Sequence, residues 1–219
     1  MMRYLSYPFS TINPVYGNPS LKMDIGHVKS ILRGDSCNVM RFTMENHWGT
    51  HIDCPAHFFE RGAKITDYAA EMWVFRKPFV VNLALLENQL IMPQDIRHVS
   101  EGSDLVLIKS DFSRYRGTEK YSVHNPGISS EVAEWLREKH PSVRAIGFDF
   151  ISISPYQNRE VGRKAHQAFL NSDDGSMPLL IIEDMDLSPD LTGLKEVMAF
   201  PLRIIGLDSA PCTVIGIFS

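Results

Sequence analysis

Residues 45–57 read Glu45-Asn46-His47-Trp48-Gly49-Thr50-His51-Ile52-Asp53-Cys54-Pro55-Ala56-His57, which places three of the chain's eight histidines and an aspartate within eleven positions. His47 and His51 are four apart, so a helix would put both on one face. Against a helix, Gly49 and Thr50 are poor helix formers, Pro55 follows, and Trp48 stands where an HExxH zinc helix has its glutamate. An extended chain would send His47, His51, Asp53 and His57 to one side, but it would hold the first two ~13 Å apart, too far to share an ion. If both act together the chain must curl, which Gly49 permits, while Pro55 sets the exit direction. Two imidazoles and a carboxylate suit Zn2+ or Mn2+ with a position left for water. The same glycine, threonine and proline also suit a plain turn, so spacing alone leaves a metal site, a catalytic site and a structural turn open.

Outward from this segment, residues 38–45 alternate loosely and read as a strand feeding the histidine cluster. Short apolar runs at residues 78–86, 104–109, 143–150, 179–182, 197–207 and 212–218 read as further strands. Ser129, Ser130 and Glu131 can cap and charge the first turn of a helix that runs through Val132, Leu136 and Lys139 and stops at Pro141. A second helical piece spans residues 162–170 and carries His166. The first 36 residues, rich in Pro, Gly, Asn and Ser, read mostly as turns or loop. An α+β, or mixed α/β, domain follows, with no internal repeat and no linker long or polar enough to divide the chain.

At 219 residues the chain can bury a substantial core as one domain. A hydrophobic content of 44%, a charged content of 22% and a net charge of −4 are ordinary for a globular protein. They give no electrostatic reason to bind nucleic acid or anionic lipid, and lysines and arginines form no basic arm. Cys37, Cys54 and Cys212 are too few and too far apart for a disulfide framework. The beginning lacks the apolar stretch of a signal peptide, and no run approaches the ~20 apolar residues of a membrane span. A soluble, cytoplasmic protein is expected, without nucleic-acid or membrane partners.

The 45–57 segment resembles the HxGTHxDxPxH signature of the cyclase family that includes bacterial kynurenine formamidase and isatin hydrolase. His47, Gly49, Thr50, His51, Asp53, Pro55 and His57 all stand at its fixed positions. The likeness extends to Ser110-Asp111-Phe112 with Tyr115, to Asn125-Pro126-Gly127-Ile128-Ser129, to Gly147-Phe148-Asp149, to His166 and to Ile181-Ile182-Glu183. It continues through Pro201-Leu202-Arg203 and residues 206–218, covering most of the chain from about Arg41 onward. Two departures stand out. Asp184-Met185 follows the distal glutamate where the family has Gly or Asn and then Leu, and residues 172–176 form a polar insert between His166 and Glu183.

The resemblance implies one cyclase-like hydrolase domain over residues 1–219, with a mixed, partly barrel-like sheet flanked by helices, of the swivelling β/β/α type. It implies that His47, His51, Asp53, His166 and Glu183 bind one or two ions of Zn2+ or Mn2+, with Asp53 able to bridge, and that His57 stays unligated as the general acid and base. The activity it implies is hydrolysis of the carbonyl–nitrogen bond of a small aryl formamide. A ring-opening hydrolase of a cyclic amide, imide or lactone is the alternative, and a non-catalytic metal-stabilised binding protein lies further off. No GxSxG elbow is present to supply a serine nucleophile. A homo-oligomer, dimer or higher, is implied as well. Trp48, Phe58, Phe59 and Trp73 fit core packing better than a pocket lining. His27, His98, His124 and His140 read as surface or structural residues, with His124 able to approach the site.

Overall fold

The computed structural model describes residues 1–172 and 175–219, so Asp173 and Asp174 of the 172–176 insert lie outside the described residues. In chain order the strands are β1 (Met2–Tyr4), β2 (Asp24–Lys29), β3 (Val39–Thr43), β4 (His51–Asp53), β5 (Val74–Phe75), β6 (Pro78–Asn82), β7 (Leu90–Ile91) and β8 (Leu105–Lys109). They continue with β9 (Gly127–Ile128), β10 (Ala145–Phe148), β11 (Leu180–Glu183), β12 (Leu194–Pro201) and β13 (Ser209–Phe218). The helices are α1 (Glu119–Val123), α2 (Ser130–Lys139) and α3 (Arg159–Leu170).

A nine-stranded sheet runs in the order β5-β12-β13-β4-β11-β10-β8-β6, with β1 on β13. Strands β6, β8, β10 and β11 are mutually parallel, and the remaining pairings are antiparallel. The terminal strands β5 and β6 stand at opposite ends of this order, yet only Arg76 and Lys77 separate them in the chain. Three Cα steps span at most about 11 Å. The sheet therefore curls back until its edges meet, which gives the partly barrel-like form that the resemblance implies.

Alternation along the central strands sorts the core into two layers. Val106, Ile108, Ile146, Phe148 and Ile181 pack with Val132 and Leu136 of α2 and Ala165 and Phe169 of α3. Leu105, Leu107, Ala145, Leu180 and Ile182 turn the other way and fill the curl with Ile52, Val197, Ala199 and Val214. Each fully buried Val, Leu, Ile or Phe among them contributes about 1.5–3 kcal/mol.

This layering decides where chemistry can occur. Ile52 belongs to the inner layer, so His51 and Asp53 on either side of it face α3. By the same parity Glu183, next to Ile182, faces α3 as well.

The helix from Ser129 forms as expected, with the Ser129 side chain accepting from the Glu131 N–H at 3.3 Å. It ends at His140, because a residue before proline is driven out of helical conformation. Helix α3 begins three residues earlier than the apolar spacing predicts, since Asn158 caps it through the Val161 N–H. The first 36 residues are mostly turn and loop, as expected, but they also contain β1, which pairs with β13, and β2, which pairs with β3 in a ribbon apart from the main sheet. One expectation needs correction. The strand expected at 197–207 runs instead over Leu194–Pro201, and the chain then turns before β13. Among the described residues no helix is long and apolar enough to cross a membrane.

Candidate metal centre

Strand β4 lies between β11 and β13, with His51 directly opposite Glu183 and Asp53 opposite Ile181. Cross-strand neighbours share a face, so this register alone brings an imidazole and a carboxylate together. His47 is returned to the same place by the turn before β4. Gly49 there has φ +63°, and a Cβ would meet the Phe9 ring at 2.7 Å, so glycine is required twice over. The turn leaves the His47 and His51 rings 5.2 Å apart, edge to face. Thr50 fixes it by donating to the Asp184 carbonyl at 2.5 Å and accepting from the Tyr7 N–H at 3.2 Å. Pro55 then opens a short 3-10 turn ending at His57. The curl that the histidine spacing demands is present.

His166 reaches the cluster from α3, and a close approach sets its position. A Cβ at Gly162 would come within 2.0 Å of Ser154 Oγ, so this glycine lets α3 lie against the 152–154 segment. The Gly162 carbonyl lies 3.0 Å from His166 Nδ1, which turns Nε2 toward Asp53 Oδ2 at 3.6 Å and Glu183 Oε1 at 3.7 Å. His51 repeats the arrangement. Its Nδ1 donates to the Gly49 carbonyl at 2.8 Å, and its Nε2 faces Asp53 Oδ1 and Glu183 Oε2, both at 3.5 Å. Glu183 is steadied by the Ile153 N–H at 2.7 Å and Ser152 Oγ at 3.2 Å.

Imidazole nitrogens and carboxylate oxygens thus converge on one buried space. His51 Nε2 and both Asp53 oxygens are buried with no hydrogen-bond partner among the described residues. One ligand atom each from His51, Asp53 and Glu183 lie within 4.8 Å of one another, and so do atoms from His47, Asp53 and His57. Two carboxylates at such a distance repel by about 3 kcal/mol at an effective dielectric of ~20. The titration directions follow. Burial and the Asp53 charge push Glu183 well above the usual carboxylate range. Burial opposes ionisation of Asp53, but the His47 and His51 imidazoles hold it well below that range. Burial lowers His51 to about 4. Burial opposes charge on His47 too, but Asp53 and Asp208 override it and raise the imidazole to about 10. A protonated His47, its Nδ1 3.1 Å from Asp53, therefore supplies positive charge where a cation would. Orphaned imidazole and carboxylate atoms facing one another form the donor set a divalent ion of the Zn2+ or Mn2+ kind takes.

All six residues singled out in the sequence come together. His57 stands at the rim, its ring 4.1 Å from that of His47, and its Nδ1 bonds Asp208 Oδ2 at 2.9 Å. Asp208 was not legible in the sequence. It accepts from His47 Nε2 at 3.2 Å as well, and these two imidazoles depress its carboxyl strongly. It lies 151 residues from His57, in the turn before β13, and only the pairing of β13 with β4 brings it here.

Phe58 stacks on His166 at 4.7 Å, whereas Trp73 is core and Trp48 packs with Val15 and Met23. His124 ends α1 and stays out of the cluster. Its neighbour Asn125 instead braces the 152–154 segment by donating to the Ser152 and Ser154 carbonyls at 3.1 and 2.8 Å. Asp149 ties down Ser110 and Ser113. The Asp184 departure is conformational: its φ of +50° suits Gly, Asn or Asp, and its carboxylate is held by Arg116 at 2.8 Å and Tyr121 at 2.5 Å. Met185 is fully buried in the inner layer, away from the rim.

An excess of Zn2+ or Mn2+, at a hundredfold over its Kd, should stabilise the protein by about 2.7 kcal/mol and raise its Tm by roughly 5–10 °C. The Asp53→Asn variant should lose that shift. An equal shift in both proteins would remove Asp53 from the site.

The cyclase family model matches residues 4–155. The kynurenine formamidase of Bacillus cereus is 29% identical over 176 residues, which is 80% of this chain and 78% of the relative. Among solved structures, isatin hydrolase A from Labrenzia aggregata superposes with a TM-score of 0.81 at 20% identity, covering 99% of this chain and 93% of that one. A structure described as a potential metal-dependent hydrolase with cyclase activity superposes at 0.73 with 26% identity, covering 99% and 96%. With the family's histidine–aspartate segment folded around the buried cluster, and with the match spanning more than half its length, the chain belongs to the cyclase family.

Proposed function

We propose that this protein is a metal-dependent amidohydrolase that cleaves the carbonyl–nitrogen bond of a small aryl formamide. The observation that carries the reading is a buried set of orphaned donors beside a partly exposed imidazole, His57, that is anchored on a carboxylate. In this reading His47, His51, Asp53, His166 and Glu183 would hold the metal. The Bacillus kynurenine formamidases, similar over four-fifths of the chain, support the substrate class.

A divalent ion held there supplies Lewis acidity, polarising the substrate carbonyl and lowering the pKa of water at the site. The remaining work falls to the chain. Asp208 accepts from His57 Nδ1 and so leaves Nε2 to take the proton of the attacking water. Water oxygen joins the carbonyl carbon, the carbon–nitrogen bond breaks, and His57 returns the proton to the departing amine nitrogen. Phe58, edge-on to His57 at 4.7 Å and stacked on His166, excludes water from one side. Opening of a cyclic amide needs the same proton transfers, and the isatin hydrolase fold makes it the second class to test.

N-formylkynurenine and isatin, each with the protein before and after chelation, test the reading. Hydrolysis of the formamide should vanish on chelation and return with Zn2+ or Mn2+. His57→Ala should lower kcat by about 10²–10⁴-fold and leave bound metal in place. Asp208→Asn should lower it by roughly 10–100-fold. Chelation-resistant turnover, or full activity in His57→Ala, would refute this mechanism. Turnover of isatin alone would move the substrate to the cyclic class, and metal binding without turnover of either would return the chain to a binding role.

The unit is one catalytic domain over residues 1–219, supported by a sheet that takes strands from both Met2–Tyr4 and Ser209–Phe218. Three free thiols fit the reducing cytoplasm. A homodimer is supported by the β2–β3 ribbon, which leaves Leu32, Phe42, Val28 and Met40 exposed at 98, 57, 49 and 47%. Two-stranded ribbons are marginal alone, and apolar patches of this kind mark interfaces. Light scattering should give twice the monomer mass, falling to one in Leu32→Asp/Phe42→Asp; a monomeric parent protein would contradict the dimer.

A further inference from the structure

Beside the buried cluster lies a cleft of about 400 Å³ lined by Tyr16, Phe58, Ser154, Arg159, Arg163 and Gln167. Two of its walls belong to the centre itself: Phe58 stacks on His166, and Ser154 Oγ lies 3.3 Å from His166 Nδ1. Its far end is cationic. Arg159 and Arg163 are four apart on α3, so both guanidinium groups rise from one exposed face. Neither makes an ion pair or a hydrogen bond among the described residues. The nearby acid, Glu160, is engaged by Lys164 at 3.9 Å instead.

Arg159 is nonetheless held in place. Its guanidinium lies 4.5 Å over the Tyr156 ring, which packs edge-on against Tyr16 at 5.4 Å. Among the described residues the buried Tyr16 hydroxyl has no hydrogen-bond partner of good geometry. The cleft therefore offers two aromatic walls, an unsatisfied phenol and two unpaired guanidinium groups. Behind Phe58 and Ser154 stands His166, whose Nε2 faces the carboxylates of Asp53 and Glu183 at 3.6 and 3.7 Å, and their charge repels an anion from that side.

We propose that Arg159 and Arg163 form a carboxylate subsite that selects aryl amides bearing an anionic group on the ring. The polarity of the cleft orients such a ligand: the ring lies between Phe58 and Tyr16, the carboxylate turns outward to the arginines, and the amide turns inward past Ser154. Planar guanidinium forks match a carboxylate with paired hydrogen bonds. This inference rests on the amidohydrolase reading for its reacting bond, but the subsite itself is a matter of binding.

The test compares 3-formamidobenzoate with neutral formanilide, in the parent protein and in Arg159→Ala/Arg163→Ala. The quantity read is the ratio of the two kcat/KM values, which does not depend on the fraction of protein correctly folded. The parent should prefer the anion by about five- to tenfold at low salt, through KM, with the preference shrinking as salt is added. In the double variant the ratio should fall toward one. A parent ratio near one, or a ratio unchanged in the variant, overturns the subsite. If neither compound is hydrolysed, the amidohydrolase reading fails on these substrates, and calorimetric Kd values for the same two compounds decide the subsite separately. A binding preference for the anion that disappears in the variant sustains it, and equal affinities overturn it.

Discussion

Asp53 is fully buried, and its two oxygens face three imidazole nitrogens: His47 at 3.1 Å, His51 at 3.5 Å and His166 at 3.6 Å. A second buried carboxylate, Glu183, shares the same space. An isolated charge in such a place is costly by several kcal/mol, and two like charges compound it. The surrounding structure reduces that cost only in part, through the Ile153 N–H and Ser152 hydroxyl on Glu183 and through charge on His47. Much of the fold around β4 follows from the need to hold this constellation in place. Gly49, Thr50 and Pro55 shape the segment, Gly162 lets α3 approach, and Asn125 braces the loop between them.

The division of labour between buried and rim residues is equally physical. His51, Glu183 and His166 have one face fixed by the backbone or a hydroxyl and the other turned to the cluster. His57 differs. It is about a quarter exposed, and its partner is a carboxylate rather than a carbonyl. Such a partner fixes the ring's orientation, which suits the proton-carrying role proposed for it. Asp208 links this residue to His47, so the rim pair and the buried set are mechanically one unit.

Much of this was legible in the sequence. Seven fixed positions of one segment, with His166 and Glu183 downstream, named every residue of the cluster except Asp208. The apolar runs gave β6, β8, β10 and β11 to within a few residues, because each is a buried strand bounded by polar positions. What escaped depends on long-range pairing. Strand β1 is three residues long and is defined only by its register with Met2 against Ile217. Asp208 looks like any turn aspartate until β13 docks on β4. The ribbon of β2 and β3 carries exposed apolar residues that alternation alone assigns to a core. In the other direction, Asp184 stands out in the sequence as a departure from the family pattern, and in the structure it occupies a left-handed backbone position that Asp can fill.

In the function proposed above, the buried carboxylates and imidazoles between β4, β11 and α3 hold a divalent ion. Anomalous diffraction from crystals grown with Zn2+ or Mn2+, with data on either side of the absorption edge, would locate it. The predicted result is a metal-specific peak enclosed by His51, Asp53 and Glu183. Saturating metal with no peak among those residues, and with their side chains still facing one another unbridged, would contradict it.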